Sequence, residues 1–476
     1  MSQKPMNFVV IVSDTFRRDH MGAYGNQWIS TPNLDAFAAE SLVFDRAYSA
    51  SFPTVPHRHD LLTGRFTATY APWGPLPKDE TVLAQVLTDA GYWTMMVSDT
   101  NHTLEHGYFY ERGFEGFEWI RGQENDHWKT DAPRLPKCDP GKLRKDESLR
   151  HYRNRAYWTS EADTFVARTM TTACDWLEGY KREDPFFLYV DTFDPHEPWD
   201  PPQHYVDLYD PGYQGEVVDY PHYDYVDGYL TDAEVKHCRA LYAGEITLVD
   251  RWAGRLLQRI RDLGLMENTM VLFTADHGFL HGEHGIIGKS IIAPGRPCSV
   301  IPLYDEISHI PFICRTPGGI TGRSDAIVQP PDIMPTILAA AGVEIPDTVQ
   351  GKSILPIAKG QSKDHRRRAF SFSYVDRPDS IATITEGKWQ CSIRPTKTRS
   401  VSDDITLDVD GLPKPVAWNP KDNETPLLYD IEVDPQQSKN LADQYPEVVS
   451  GMRSSFIELL EQCGSDADVV DLWKEN

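Results

Sequence analysis

The sequence predicts an α/β protein: a β-sheet sandwiched by helices, followed by a small C-terminal antiparallel sheet carrying one helix. Three observations lead there. Short, unbroken apolar runs rich in β-branched and aromatic residues recur along the first two thirds of the chain. Helix-like patterns fall between them. After a charged stretch at Asp364–Arg368 the texture changes to short strands in close succession. Strands that alternate with helices favour a parallel sheet covered on both faces.

The first strand is Asn7–Val12, ended by Ser13 and Asp14. Its continuous apolar run, without alternation, suits a strand buried on both sides. Helices are expected at Asn33–Val43 and Thr81–Ala90, then a strand at Tyr92–Val97. Thr164–Tyr180 reads as helix and Pro185–Phe193 as strand. Val235–Leu263 is a long amphipathic helix, with Leu241, Ile246, Val249, Leu256, Leu257 and Ile260 on its apolar face. Thr269–Thr274 and Ile310–Cys314 complete the strands of this type. A helix near Asp332–Gly342 ends in glycine, with Pro346 beyond it. Past the linker-like Asp364–Arg368, strands are expected at Arg368–Val375, Ile381–Thr385 and Trp389–Ile393. A polar loop over Pro395–Pro426 and a helix over Pro446–Gln462 follow. Two units are therefore expected, a larger one over residues 1–364 and a smaller one over 365–476.

Composition narrows the partners. The 476 residues include 47 Lys and Arg against 71 Asp and Glu, a net charge of −24. That balance argues against nucleic acid or an anionic membrane surface, because both are bound through basic residues. A small anion is not excluded, since a local pocket can carry the opposite sign to the whole. The seven cysteines are scattered, with no CxxC pair, which points to free thiols in a reducing compartment. No secretory leader or membrane span is read from the sequence, so a cytoplasmic location is expected.

Ligands of such sheets bind beyond the carboxyl ends of the strands, so those ends carry the chemistry. They deliver Asp14, Ser98-Asp99-Thr100-Asn101-His102, Asp194-Pro195-His196 and Asp276-His277 to one rim. Asp14, Asp276 and His277 offer two hard oxygens and an imidazole, a divalent-metal set. A single Asp after a strand is ordinarily a turn residue; it is the recurrence at one edge that matters. In Thr54-Val55-Pro56-His57-Arg58, Pro56 suits a first helical turn, and Gly64 suits its end. Thr54 would then stand at a helix entry that favours an anion, with Arg58 one turn on. A hydroxyl beside a metal and an arginine is a nucleophile arrangement for phosphoryl or sulfuryl transfer. His281 and His284 fit the rim of the metal loop better than its ligand set. The Tyr-rich stretch Tyr205–Tyr229 could wall a pocket or form a surface insertion.

With these residues in view, the chain resembles the sulfatase branch of the alkaline phosphatase superfamily over nearly its whole length. The matching pieces are NFVVIVSDTFRRDHMGAYGN, TPNLDAFAAESLVFDRAY, LLTGR, PFFLYVDTFDPHEPW, ENTMVLFTADHGFLHGEHGIIGK, IPFICRTPGG and PLLYDIEVDPQQSKNLAD, in the family's order. The resemblance implies a mixed β-sheet between helices with a small C-terminal sheet. It also implies one divalent metal ion (Mn, Ca or Zn) held by Asp14, Asp276 and His277, with Thr54 as a further ligand. Arg58, His196 and Lys289 fall on family positions that contact the substrate anion or the nucleophile. His102 falls on the histidine of the family's Lys-x-His motif.

The departures are informative. The signature Cys (or Ser)-x-Pro-Ser-Arg, whose cysteine becomes formylglycine, reads Thr54-Val55-Pro56-His57-Arg58 here. Threonine is no substrate for that oxidation, and a Thr ester cannot expel sulfate as a formylglycine hydrate does. The family's Asp-Asp after the first strand is Asp14-Thr15, and its Lys-x-His is Thr100-Asn101-His102. One charge of each sign is lost, so the site charge is expected to stay nearly unchanged. Similar departures mark the phosphonate monoester hydrolase and phosphodiesterase subgroup.

The expected function is therefore a metal-dependent hydrolase of phosphodiesters or phosphonate monoesters. Thr54 would be the nucleophile, Arg58 and Lys289 the stabilisers of the anion, His102 or His196 the general acid, and Thr100 and His57 substrate contacts. The alternatives are a sulfatase without formylglycine, and an inactive binding protein on the same fold. The expected partner is a small anionic ester, with no nucleic acid and no membrane; a homo-oligomer stays open.

Overall fold

In the computed structural model, residues 5–71, 73–296, 298–377, 379–397 and 426–475 are described. The strands are β1 (Asn7–Ser13), β2 (Leu42–Ala47), β3 (Trp93–Ser98), β4 (Gly116–Trp119), β5 (Phe186–Thr192), β6 (Tyr223–Tyr225), β7 (Thr269–Ala275) and β8 (Leu280–His281). After them come β9 (Ile286–Ile292), β10 (Phe312–Arg315), β11 (Gly322–Val328), β12 (Arg368–Phe372), β13 (Ala382–Glu386), β14 (Trp389–Ile393) and β15 (Leu427–Asp430). An eight-stranded sheet runs in the order β11-β2-β10-β7-β1-β5-β3-β4. β1 is parallel to both β5 and β7, whereas β10 is antiparallel to β7 and β2, so the sheet is mixed. Every residue of β1, β5 and β7 is buried. This is why those segments read as unbroken apolar runs: helices cover both faces of the central strands.

The expected strands and most helices appear within a few residues of their expected limits. The long helix spans Asp232–Asp262 and begins in a capping box between Thr231 and Glu234. The helix expected at Asn33–Val43 is shorter: α1 (Pro32–Ala39) stops at Glu40, and Leu42–Ala47 is β2. Leu42, Val43 and Phe44 continue the apolar helical spacing, but they are better buried between β10 and β11 than at the end of a helix. A three-stranded sheet, β6-β9-β8, lies beyond the main one.

β12 to β15 form an antiparallel meander. Two helices accompany it, Pro446–Gln462 as expected and Ala467–Trp473, which the sequence reading missed. Within the expected loop over Pro395–Pro426, residues 398–425 lie outside the described residues. This sheet is not an isolated appendage. Phe52 N–H donates to the Phe372 carbonyl at 2.8 Å, and Phe372 N–H donates to that of Ala50 at 2.9 Å. Its core includes Ala50 and Phe66 together with Phe372, Ile384, Phe456 and Trp473. β12 therefore braces the segment that leads into α2 (Thr54–Thr63).

Candidate active site

Asp14 follows β1 and Asp276-His277 follows β7, side by side because the two strands are paired. One ligand atom from each of these three buried residues lies within 4.8 Å of the others. Each is held in place. Asp276 Oδ1 accepts the backbone N–H groups of Thr15 and His277, both at 2.8 Å, which turns Oδ2 toward the centre. His277 Nδ1 donates to the Gly278 carbonyl at 3.0 Å, which leaves Nε2 as the lone-pair nitrogen. Thr15 donates its hydroxyl to Asp14 Oδ1 at 2.7 Å. The residue that departs from the family's second Asp thus orients the first.

This donor set fits a divalent cation. Asp14 Oδ2 is buried without a hydrogen bond, although Arg58 Nη1 is 2.9 Å away. Burial and the Asp276 charge push the Asp14 carboxyl well above its ordinary range, against Arg58 and Lys289. A cation between the two carboxylates would remove that penalty. Burial also holds the His277 imidazole neutral, with its pKa pushed down to about 3, and neutral imidazole is the form that ligates. His281 is buried in an aromatic group with Tyr242 and Phe279, and His284 stacks on Tyr304 at 3.5 Å. Among the described residues, neither joins the metal group.

Thr54 is the first residue of α2 and only 2% exposed. The Phe52 ring, two residues earlier, packs on the His277 ring with centroids 5.0 Å apart. Arg58, one turn later, points its guanidinium into the same place. Its Nη1 donates to Asp276 Oδ2 and, at 3.3 Å, to the Thr54 carbonyl. Its Nε and Nη2 grip Asp191 at 3.1 and 2.8 Å. Asp191, inside β5, was missed in the sequence because PFFLYVDTF reads as a wholly apolar strand. Thr100 donates to the same carboxylate at 3.1 Å. Where the family has a lysine, this chain has a hydroxyl serving a buried Asp.

Lys289, on β9, places Nζ 3.5 Å from His277 Nε2 and is 6% exposed. His57 is fully buried and neither ring nitrogen has a hydrogen-bond partner. Burial pushes its pKa down to about 3. His196 stacks on Phe193 at 4.0 Å, and His102 meets the same ring edge-on at 5.5 Å. The Tyr-rich stretch is not merely a surface insertion: buried Tyr220 donates to Glu124 and buried Tyr223 to Glu197, beside these two histidines. No single motif marked Glu124, Tyr220 or Tyr223; they meet only through the fold.

A family profile described as Sulfatase matches residues 6–343 of the chain. A second, described as N-sulphoglucosamine sulphohydrolase, C-terminal, matches residues 301–386. An arylsulfatase of Clostridium perfringens is 26% identical over 406 residues, covering 76% of this chain and 80% of its own. A multifunctional alkaline phosphatase superfamily protein of Trinickia caryophylli is 25% identical over 515 residues, covering 92% of this chain and 91% of its own. The crystal structure of a phosphonate monoester hydrolase of Agrobacterium radiobacter has the same fold. Its TM-score is 0.71 at 20% identity, over 96% of each chain.

Proposed function

The chain belongs to the sulfatase family, a family of metal-dependent ester hydrolases, and from that premise we propose that it hydrolyses phosphodiesters or phosphonate monoesters with Thr54 as nucleophile. The observation that carries this reading is the residue at the start of α2. A threonine opens α2 where sulfatase chemistry needs formylglycine, and Arg58, one turn on, hydrogen-bonds both its carbonyl and Asp276 of the candidate metal group.

Asp14 Oδ2, Asp276 Oδ2 and His277 Nε2 would hold one divalent ion (Mn, Ca or Zn), with the Thr54 hydroxyl as a further ligand. Such an ion, when bound, acidifies a neighbouring hydroxyl and polarises the ester. The Thr54 hydroxyl gives its proton to solvent, and its oxygen bonds to phosphorus as the bond to the leaving oxygen breaks. The Lys289 ammonium stabilises charge on the non-bridging oxygens. A histidine, His102 or His196, gives its proton to the leaving oxygen. Water then attacks phosphorus in line as its bond to the Thr54 oxygen breaks; that oxygen takes up a proton to regenerate the hydroxyl, and the proton released by the attacking water returns the histidine to its acid form. Arg58, committed to Asp191 and to the metal carboxylates, keeps the ligands and Thr54 in register.

Charge supports the substrate class. Asp14, Asp191 and Asp276 oppose Arg58 and Lys289, and one divalent ion leaves the centre with a single positive charge. Diesters and phosphonate monoesters are monoanions, whereas phosphate monoesters are dianions. Sulfate esters are monoanions too, and the arylsulfatase relative favours them as the second reading.

Bis(4-nitrophenyl) phosphate, 4-nitrophenyl phenylphosphonate and 4-nitrophenyl sulfate, assayed side by side, separate the two. The phosphorus esters are expected to turn over at least tenfold faster than the sulfate. Thr54→Ala is expected to abolish turnover while metal content stays intact. Unchanged turnover in that variant, or a preference for the sulfate, would sink the proposal.

A further inference from the structure

Thr15 lies just beyond β1, and its backbone is left-handed, with φ at 59°. A β-branched residue is strained there and keeps that shape only where its surroundings hold it. Each polar group of Thr15 has a partner. Its N–H donates to Asp276 Oδ1 at 2.8 Å, and its hydroxyl donates to Asp14 Oδ1 at 2.7 Å. Its carbonyl accepts the Tyr242 hydroxyl at 2.7 Å. The first two bonds set both carboxylates of the metal group and leave their Oδ2 atoms as ligands. The third comes from outside that group.

Tyr242 supplies it from a rigid base. The residue lies within the long helix Asp232–Asp262 and is fully buried. Its ring packs against those of His281 at 4.3 Å, His20 at 5.4 Å and Trp199 at 6.1 Å, which fix its direction. The hydroxyl that donates to the Thr15 carbonyl also accepts the Arg17 N–H at 2.8 Å. One side-chain oxygen thus pins the backbone on both sides of Phe16. The Phe16 ring is itself buried, edge-on to Phe273 of β7 at 5.5 Å. Arg17 carries the brace further, because its Nη1 donates to the Phe279 carbonyl at 2.9 Å, two residues past His277. The turn after β1 and the loop after β7 are tied together around this point.

We propose that Tyr242 is a positioning residue for the metal group: its hydroxyl holds Thr15 in the left-handed turn from which Thr15 aims Asp14 and Asp276. The proposal rests on the reading of Asp14, Asp276 and His277 as that group, and is independent of the nucleophile and of the ester. Without the hydroxyl, the Thr15 carbonyl and the Arg17 N–H lose a partner in a buried place, and nothing opposes relaxation of the strained turn. The Thr15 N–H and hydroxyl then leave their carboxylate oxygens, and the ion must meet ligands that are no longer aimed.

The test reads metal binding rather than turnover. Mn²⁺, Ca²⁺ and Zn²⁺ are titrated by calorimetry into the chelator-treated chain, and the ion that binds most tightly is followed through Tyr242→Phe, Thr15→Gly and the double variant. Tyr242→Phe is expected to weaken binding about 10- to 100-fold while the metal-free protein keeps a cooperative unfolding transition. Glycine adopts a φ near 59° without strain, so a chain carrying Thr15→Gly has less need of the hold. On that background the loss caused by Tyr242→Phe is expected to shrink at least about threefold, which a general loosening of the core would not do. Affinity within twofold of the unsubstituted protein, an equal loss on both backgrounds, or a Tyr242→Phe chain that no longer folds would each overturn the proposal and leave the metal reading standing. No binding of any of the three ions by the unsubstituted chain would overturn both.

Discussion

Asp191 is the residue on which the site's architecture turns. It is fully buried, takes two hydrogen bonds from Arg58 and one from Thr100, and lies beside the Tyr189 hydroxyl at 3.3 Å. A buried guanidinium that loses a bidentate partner is left with an uncompensated charge. Asp191→Asn is accordingly expected to lower unfolding free energy by about 3 kcal/mol, measured by urea denaturation. A loss under 0.5 kcal/mol would mean that Arg58 is held by the metal carboxylates alone. The individual residues were unevenly legible. Asp14, Asp276, His277 and Thr54 could be found because each follows a strand or opens a helix, positions where a polar residue ends an apolar run. Asp191, Glu124 and Tyr220 could not. A carboxylate inside a strand, or one that meets its partner from 96 positions away in the chain, leaves no local pattern.

At the scale of elements, the loop after β7 shows why Asp-His is followed by glycine. Gly278 N–H donates to the Ile307 carbonyl at 2.8 Å, which draws the loop against Asp305–Ser308. A Cβ at Gly278 would stand 2.0 Å from the Glu306 carbonyl oxygen, so the backbone must shift to admit one. That backbone carries the carbonyl that fixes the His277 tautomer. Gly278→Ala is expected to weaken metal binding about 10- to 100-fold, read by competition with a chelator of known affinity. Affinity within twofold of the unsubstituted protein would show that the loop can relax without moving His277. The same scale explains the misread helix end. Leu42–Phe44 keeps helical spacing and strand composition at once, and pairing with β10 and β11, which lie some 270 residues further on, decides between them. Spacing within a short window cannot register a partner so distant.

Across the whole molecule, the small sheet and the site depend on each other. β12 is hydrogen-bonded to Ala50 and Phe52, and Ser371 donates to the Ser49 carbonyl at 2.6 Å, just ahead of Thr54. A chain cut after residue 364 is expected to lose the cooperative unfolding transition of the full chain, seen by calorimetry, because Ala50 and Phe66 would lose their apolar cover. A cut chain that melts with the full chain's Tm would show that the sheet is an independent appendage. The buried carboxylates give a second global readout. Adding Mn²⁺, Ca²⁺ or Zn²⁺ to chelator-treated protein is expected to raise Tm, by about 2.7 kcal/mol of stabilisation at 100 times Kd. No rise with any of the three ions would remove the metal set. Much of this organisation was legible, since alternating runs and patterns give an α/β sheet. The bracing by β12 was not, because backbone pairing carries no side-chain signature. Among the described residues no helix is long and apolar enough to cross a membrane. One feature of α2 bears on the history of the chain rather than its chemistry. All ten of its residues, Thr54 to Thr63, are buried. Once the protein has folded, no processing enzyme can reach that segment, so any covalent maturation there would be confined to the nascent chain. A threonine at position 54 is already in its final form at the moment the fold closes over it.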